Sequence, residues 1–234
     1  MKSVARLVLL ALLALVAVFA ELDRQSARDP ALATYVPAPF RSFALDRRAA
    51  DAIDRHDKAA AMRNATVLLR HRPIPARNLY LYARASQLDG NKQAFAQAFL
   101  LGTQRGWRVE PLQFAAAQLA LVSGNPSGAA NRVAALWATN RNYPGLDGLT
   151  RQLLATGGGL QAFAGDLAAT RVWQASFLGA LPRLVPATEA ARLLVASSNA
   201  GLRLPCTQRD AIISHYRSRS GPAAAVQVVM VPCE

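Results

Sequence analysis

Four groups of residues have types and spacings that chemistry uses. Asp51, Asp54 and Asp57 stand three apart, a spacing that sets carboxylates along one side of a helix and suits a metal ion or an acid–base pair. Arg47, Arg48 and Arg55 are interleaved with them and no calcium-loop glycine is present, so the cluster reads as a solvated, ion-paired face. Thr156-Gly157-Gly158-Gly159 is a run able to cradle phosphate, but it lacks the following Lys-Ser/Thr of a nucleotide loop and reads as a flexible helix end. His56, His71 and His215 are far apart, and no His-Glu-x-x-His, Gly-x-Ser-x-Gly or dinucleotide fingerprint occurs. The expectation is a protein that is not an enzyme, with no catalytic, cofactor-binding or metal-binding residues.

Cys206 follows Leu204-Pro205 and Cys233 follows Val231-Pro232. In an exported chain two cysteines are most simply a disulfide. A helix from Thr207 to Ser220, begun by the capping-box variant Thr207-Gln-Arg-Asp210, then a turn at Gly221-Pro222 and a shorter helix over Ala223 to Met230, would return Cys233 to Cys206. Trp107, Trp137 and Trp173 lie at helical spacing among Ala and Leu and read as core; as sugar-stacking platforms they would instead support a carbohydrate-binding or carbohydrate-processing protein. Only Glu189, Asp210 and Glu234 are acidic after Asp166, which argues against a glycosidase.

Those residues must be positioned by something, and composition says a packed core. The chain has 234 residues, 52% hydrophobic and 18% charged, with a formal net charge of +13 carried by arginine; lysine occurs only at Lys2, Lys58 and Lys92. Abundant alanine and arginine together fit a high-GC genome. The functional alternative is attraction to an anionic glycan or lipid surface. The arginines are scattered and no aromatic residues interleave a basic run, so nucleic acid ranks last among partners.

Lys2 and Arg6 precede Leu7 to Ala20, fourteen residues without a charge, which is an export segment. It is either a retained single-pass anchor or a signal peptide removed after Val18-Phe19-Ala20. Either way Lys2 and Arg6 stay cytoplasmic and the remainder crosses the membrane. Glu21 to Arg41, with Pro30, Pro37 and Pro39 and no apolar period, reads as a linker holding a domain off the membrane.

Beyond it the apolar pattern recurs. Leu45, Ala49, Ala52 and Ile53 make one stripe, and Asp57 is the expected cap of a second helix carrying Ala61, Ala65, Leu68 and Leu69 up to Pro73. A second hairpin would use Leu79, Tyr82 and Ala83, turn at Asp89-Gly90, and return through Phe95, Ala98, Phe99 and Leu101. A third opens at Pro111 with Leu112, Ala116, Leu119 and Ala120, turns at Gly124-Asn125-Pro126, and returns through Ala129, Val133, Leu136 and Trp137. The first and third match at an offset of 68; the second matches through Ala94, Ala98, Leu101 and Gly102 if slipped back by one. After a break at residues 140–145, shorter helices follow: Leu146 to Leu153; Leu160 to Leu167; Trp173 to Leu181, ending at Pro182; and one capped by Thr188.

Over about 40 to 143 these residues resemble the tetratricopeptide repeat, with Gly124 and Ala129 at the family's spacing, Gly90 and Ala94 one short, and Pro73 as terminal proline. The family's tryptophan and Leu-Gly pair are absent from the first helices. The resemblance implies an all-α, right-handed superhelical array of antiparallel helix hairpins, and a scaffold whose concave face holds a protein partner. The expected organisation is therefore an anchor or signal over 1–20, a linker over 21–41, repeats over 42–143 and further hairpins over 144–234 closed by the disulfide. The expected setting is the bacterial inner membrane with the C-terminal domain in the periplasm, or a soluble periplasmic or secreted form if the segment is cleaved. A structural accessory subunit of a membrane complex is the other non-catalytic reading.

Overall fold

The computed structural model describes residues 2–169, 171–220, 228 and 231–233. Among them are twelve α-helices, two short 3₁₀ turns and no strand. The chain divides into two compact units, Met1–Gly106 and Trp107–Glu234. The division falls inside the span read from sequence as one repeat block.

Unit 1 holds α1 (Lys2–Ser26), 3₁₀ turns at Pro30–Thr34 and Ala38–Phe40, α2 (Phe43–Asp54), α3 (Lys58–His71), α4 (Ala76–Asp89) and α5 (Lys92–Arg105). Here α2 pairs with α3, α4 pairs with α5, and α4 packs on both helices of the preceding pair. Unit 2 holds α6 (Glu110–Val122), α7 (Pro126–Thr139), α8 (Leu146–Leu154), α9 (Gly157–Ala169), α10 (Gln174–Leu184), α11 (Ala187–Asn199) and α12 (Cys206–Ser220). In it α6 pairs with α7, α7 packs on α8 and α9, α9 packs on α11, and α10 packs on α12.

Local structure repeats every 34 residues across the first three hairpins. The second helices begin at Lys58, Lys92 and Pro126, and each is 14 residues long. Before each stands a side chain that accepts a free amide of the first turn: Asp57 from Ala60 N, Asn91 from Ala94 N and Asn125 from Gly128 N. One residue earlier the backbone is left-handed, at His56 (φ 57°), Gly90 (φ 87°) and Gly124 (φ 70°). The amides of Asp57, Asn91 and Asn125 then reach back to the carbonyls of Ala52, Ser86 and Ala120, which closes the preceding helix. His56 holds a conformation that the other two hairpins give to glycine, at the steric cost a Cβ incurs there.

The turn and cap of the second hairpin show no slip, whereas its apolar stripe includes Ala98, buried as the shifted pattern expects. The equivalents of Ala61, Ala65 and Leu68 are Phe95, Phe99 and Gly102, and then Ala129, Val133 and Leu136. Gly102 is buried, whereas Leu101, expected inside, is exposed. Phe95 and Phe99 are half-buried and stack with centroids 5.6 Å apart. An α5 rich in apolar residues on two adjacent faces offers both registers to a pattern search; the turn geometry selects one. In α6 Leu119, also expected inside, is exposed.

Several helix ends differ from expectation. The glycine run opens α9 rather than closing α8: Thr156 Oγ1 accepts the Gly159 amide, as an N-cap does. Gly159 is required there, because a Cβ would meet the Leu153 carbonyl oxygen at 2.2 Å. Pro182 lies within α10, which continues to Leu184; losing one donor near a helix end does not stop it. Pro186, not Thr188, precedes α11. α12 begins at Cys206, and the Asp210 carboxylate is engaged by Arg209. The helix expected over Ala223 to Met230 lies outside the described residues apart from Val228, which is buried.

Candidate functional site

Two features of the fold bear on function, one in each unit. The first is the foot of α1. From Val4 to Val18 its large apolar side chains are exposed, and Ser3–Ser26 is long and apolar enough to cross a membrane. Its 24 residues rise about 36 Å, against a hydrocarbon layer of about 30 Å.

The last turns of the same helix are part of unit 1. Asp23, 5% exposed, accepts three backbone amides at the start of α2: Ser42 N at 3.0 Å and Ala44 N at 2.9 Å on Oδ1, and Phe43 N at 3.1 Å on Oδ2. Ser42, the residue at the cap position, makes no side-chain cap bond, so a carboxylate about twenty residues upstream serves instead. Ser26 is buried and donates its hydroxyl to the Asp23 carbonyl at 2.6 Å. Around this point Leu22 and Phe40 pack on Ala33, Val36 and Ala44, and the Phe19 and Phe40 rings lie 5.3 Å apart. Residues 21–41 are therefore not a bare linker: they carry the end of α1 and two 3₁₀ turns folded onto α2. Proline supplied the right turns but masked the small apolar cluster that Leu22, Ala33, Val36 and Phe40 make.

The second feature is an open groove of about 750 Å³ between α9 and α11. Gly157, Leu160 and Gln161 line one side, and Ala191, Arg192 and Val195 the other. Leu160 is buried at its floor, Val195 is 41% exposed, and Arg192 is exposed. Gly157 adds no side chain, which keeps that edge open. The groove offers apolar contact and one cation. Thr188 adds a hydroxyl to its lining, and no carboxylate stands among these lining residues.

The other sequence candidates do not converge. Asp57 is spent as the cap of α3, while Asp51 and Asp54 are exposed. Among the described residues no group of three His, Cys, Asp or Glu side chains is placed to hold a metal ion. Trp137 and Trp173 are buried: Trp137 donates to Thr150 Oγ1 at 3.1 Å, and Trp173 packs on Phe163 and Phe177, so Trp173 presents no face to a sugar. Trp107 is 51% exposed, with Arg108 over its ring. The Cys206 and Cys233 sulfurs are bonded, with Cα atoms 4.9 Å apart. Such a bond is at home in an oxidising compartment. Tyr216, buried on α12, donates to the Val185 carbonyl at 2.8 Å, and burial raises its proton affinity well above the usual phenol range. Asp166 of α9 is also pushed toward the neutral form by burial, with Oδ2 unpartnered.

Sequence reasoning missed Asp23 because its partners lie 19 to 21 residues away and are main-chain groups. It also missed Asn91 and Asn125 as caps, although with Asp57, the one cap it named in these hairpins, they stand at strict intervals of 34 that could have shown them. No family model matches the chain, and neither the curated proteins nor the solved structures include a match to it.

Proposed function

We propose that this chain is a non-catalytic, membrane-anchored scaffold of the bacterial envelope, with its helical units facing the periplasm, and that its hairpins form a tetratricopeptide-like superhelical array. The observation that carries the reading is the continuity of α1 across Ala20: the apolar helix runs unbroken to Ser26, and Phe19, on the side that cleavage would remove, packs on Phe40 of the folded unit. The peptide bond after Ala20 is held in that helix, between Phe19 on the Phe40 ring and Glu21, rather than in the extended form a signal protease engages. The bonded cysteines agree with a periplasmic face. The partner in this reading is a protein segment that lays apolar side chains into the α9–α11 groove, with Arg192 steering acidic residues to its rim.

The test has two arms. Intact mass of the chain extracted from membranes should include residues 1–20, and alkaline carbonate should leave it in the membrane; a chain that starts at Glu21 in the soluble fraction overturns the anchor. A photo-crosslinking residue in place of Gln161 in living cells should give a discrete protein adduct that Val195→Glu removes. An adduct pattern unaffected by Val195→Glu, or none at Gln161, overturns the groove as the binding face.

A further inference from the structure

At the foot of α1, unit 1 has a cavity of about 430 Å³ lined by Ala27, Phe43, Asp46, Arg47, Arg72 and Arg77. Three guanidinium groups meet there against one carboxylate. Arg77 spends its fork on Asp46, with Nε at 2.7 Å from Oδ2 and Nη2 at 2.8 Å from Oδ1. Arg47 and Arg72 have no carboxylate partner. Arg47 donates through Nη2 to the Ala27 carbonyl at 3.3 Å, which keeps its remaining donors at the cavity. Arg72 lies over the Phe43 ring at 4.8 Å from the centroid, a seat that fixes the guanidinium plane without neutralising it. Two held, uncompensated arginines beside a cavity make a site for an anion with several acceptor oxygens, for which planar guanidinium forks are suited.

Position says which anion. Ala27 is seven residues past Ala20, the last of the uncharged run, and α1 remains helical to Ser26. The cavity therefore starts roughly 10 Å beyond the apolar run along the helix. Bilayer headgroups extend about 5 to 8 Å beyond the hydrocarbon, so the cavity lies at their outer edge, within the reach of arginine side chains. Exposed Tyr35, just past the 3₁₀ turn that packs on α1, is an aromatic residue of the kind that membrane interfaces favour.

We propose that this cavity binds the phosphodiester headgroup of an anionic phospholipid from the leaflet that α1 leaves, with Arg47 and Arg72 as the phosphate-binding residues and Arg77–Asp46 as the fixed wall. The proposal rests on the reading of α1 as a retained anchor. It gives the scattered positive charge of the chain one specific use and makes the orientation of unit 1 sensitive to lipid composition.

The test uses the full chain in nanodiscs of phosphatidylcholine with a minor share of phosphatidylglycerol, and native mass spectrometry counts the lipids that remain bound. One phosphatidylglycerol should be retained in preference to phosphatidylcholine. The Arg47→Gln/Arg72→Gln chain should lose that preference at least tenfold, while Arg55→Gln/Arg63→Gln, an equal charge change on exposed residues outside the cavity, should keep it. Arg72→Lys should retain part of it, which separates fork geometry from charge. Equal loss in both double variants would show diffuse attraction and overturn the site, as would retention in both. Displacement by millimolar inorganic phosphate would assign the cavity to a free anion rather than a lipid. Circular dichroism confirms folding of each variant. The native mass spectra also give the chain mass, so loss of residues 1–20 is read separately from loss of bound lipid.

Discussion

In the main core of unit 1, five of the nine buried side chains are alanine: Ala49, Ala52, Ala61, Ala65 and Ala85. The core of unit 2 is instead centred on rings, with Phe177 within 5.0 to 5.9 Å of Phe163, Trp137 and Trp173 by centroid. Alanine lets helix backbones approach closely but removes little apolar surface from water, and each missing methylene forgoes about 0.8 kcal/mol. Large rings bury far more area and add edge-to-face attraction. Unit 2 is thus held by volume. Unit 1 must draw more of its stability from bonds that close helix ends, which is where Asp23, Asp57 and Asn91 stand.

Removing the central ring is the strongest way to test that contrast. Phe177→Ala should destabilise unit 2 by about 4 kcal/mol, because the cavity it leaves is walled by three rings that cannot all collapse. Hydrogen exchange should show the loss across α7 to α11 with α2 to α5 unchanged; protection lost equally in both units would break the comparison. Reduction of Cys206–Cys233, which closes a separation of 27 residues, should cost roughly 3.5 kcal/mol in the chain-entropy picture, read as a drop in the denaturant midpoint of unit 2.

Asp23→Ala should cost unit 1 about 2 to 3 kcal/mol, since it strands amides of Ser42, Phe43 and Ala44 that a charged acceptor now satisfies. Faster exchange of those three amides is the specific sign, and unchanged exchange there would remove the joint from the account. Asp57→Ala, Asn91→Ala and Asn125→Ala should each cost about 1 kcal/mol, by thermal melting. The first two should lower the midpoint more visibly than the third, because Asn125 sits beside the buried Trp137 helix with a larger core to lean on.

The smallest effect has the opposite sign. Burial raises the proton affinity of Asp166 in the folded chain, so the native state binds that proton more readily than the unfolded one and gains stability as pH falls through the carboxylate range. Asp166→Asn should therefore stabilise unit 2 at pH 7 by less than about 1 kcal/mol, as befits a half-buried group in partly screened surroundings. The gain should shrink toward acid pH; a gain that grows on acidification would contradict the assignment.

The helical class and the long apolar N-terminal helix could be read from apolar spacing: α2, α3 and α7 bury the residues that their stripes select, Leu45, Ala61, Ala65, Val133 and Leu136. The 34-residue interval was visible too, but its register in α5 was not. Apolar side chains alone do not distinguish Phe95 from Ala94, whereas the left-handed Gly90 and the cap at Asn91 do. The glycines at 157–159 misled for a related reason. Glycine marks a helix end in general, but here Gly159 answers a close approach by the Leu153 carbonyl, a constraint that exists only in three dimensions. The foot of α1 and the arginine cavity were least legible, since both are made by contacts across long separations: Asp23 with the Ala44 amide, Asp46 with Arg77, Phe43 with Arg72.

The joint at Asp23 also has a mechanical meaning. If α1 is the anchor proposed above, the three bonds from Asp23 to the start of α2 would pass the lean of that helical shaft on to α2. A bilayer that thins or thickens tilts a spanning helix to match, and a tilt of a few degrees at the shaft would swing the far end of unit 1 through several ångströms. Bilayer thickness would then act as a tiller for whatever surface this unit presents.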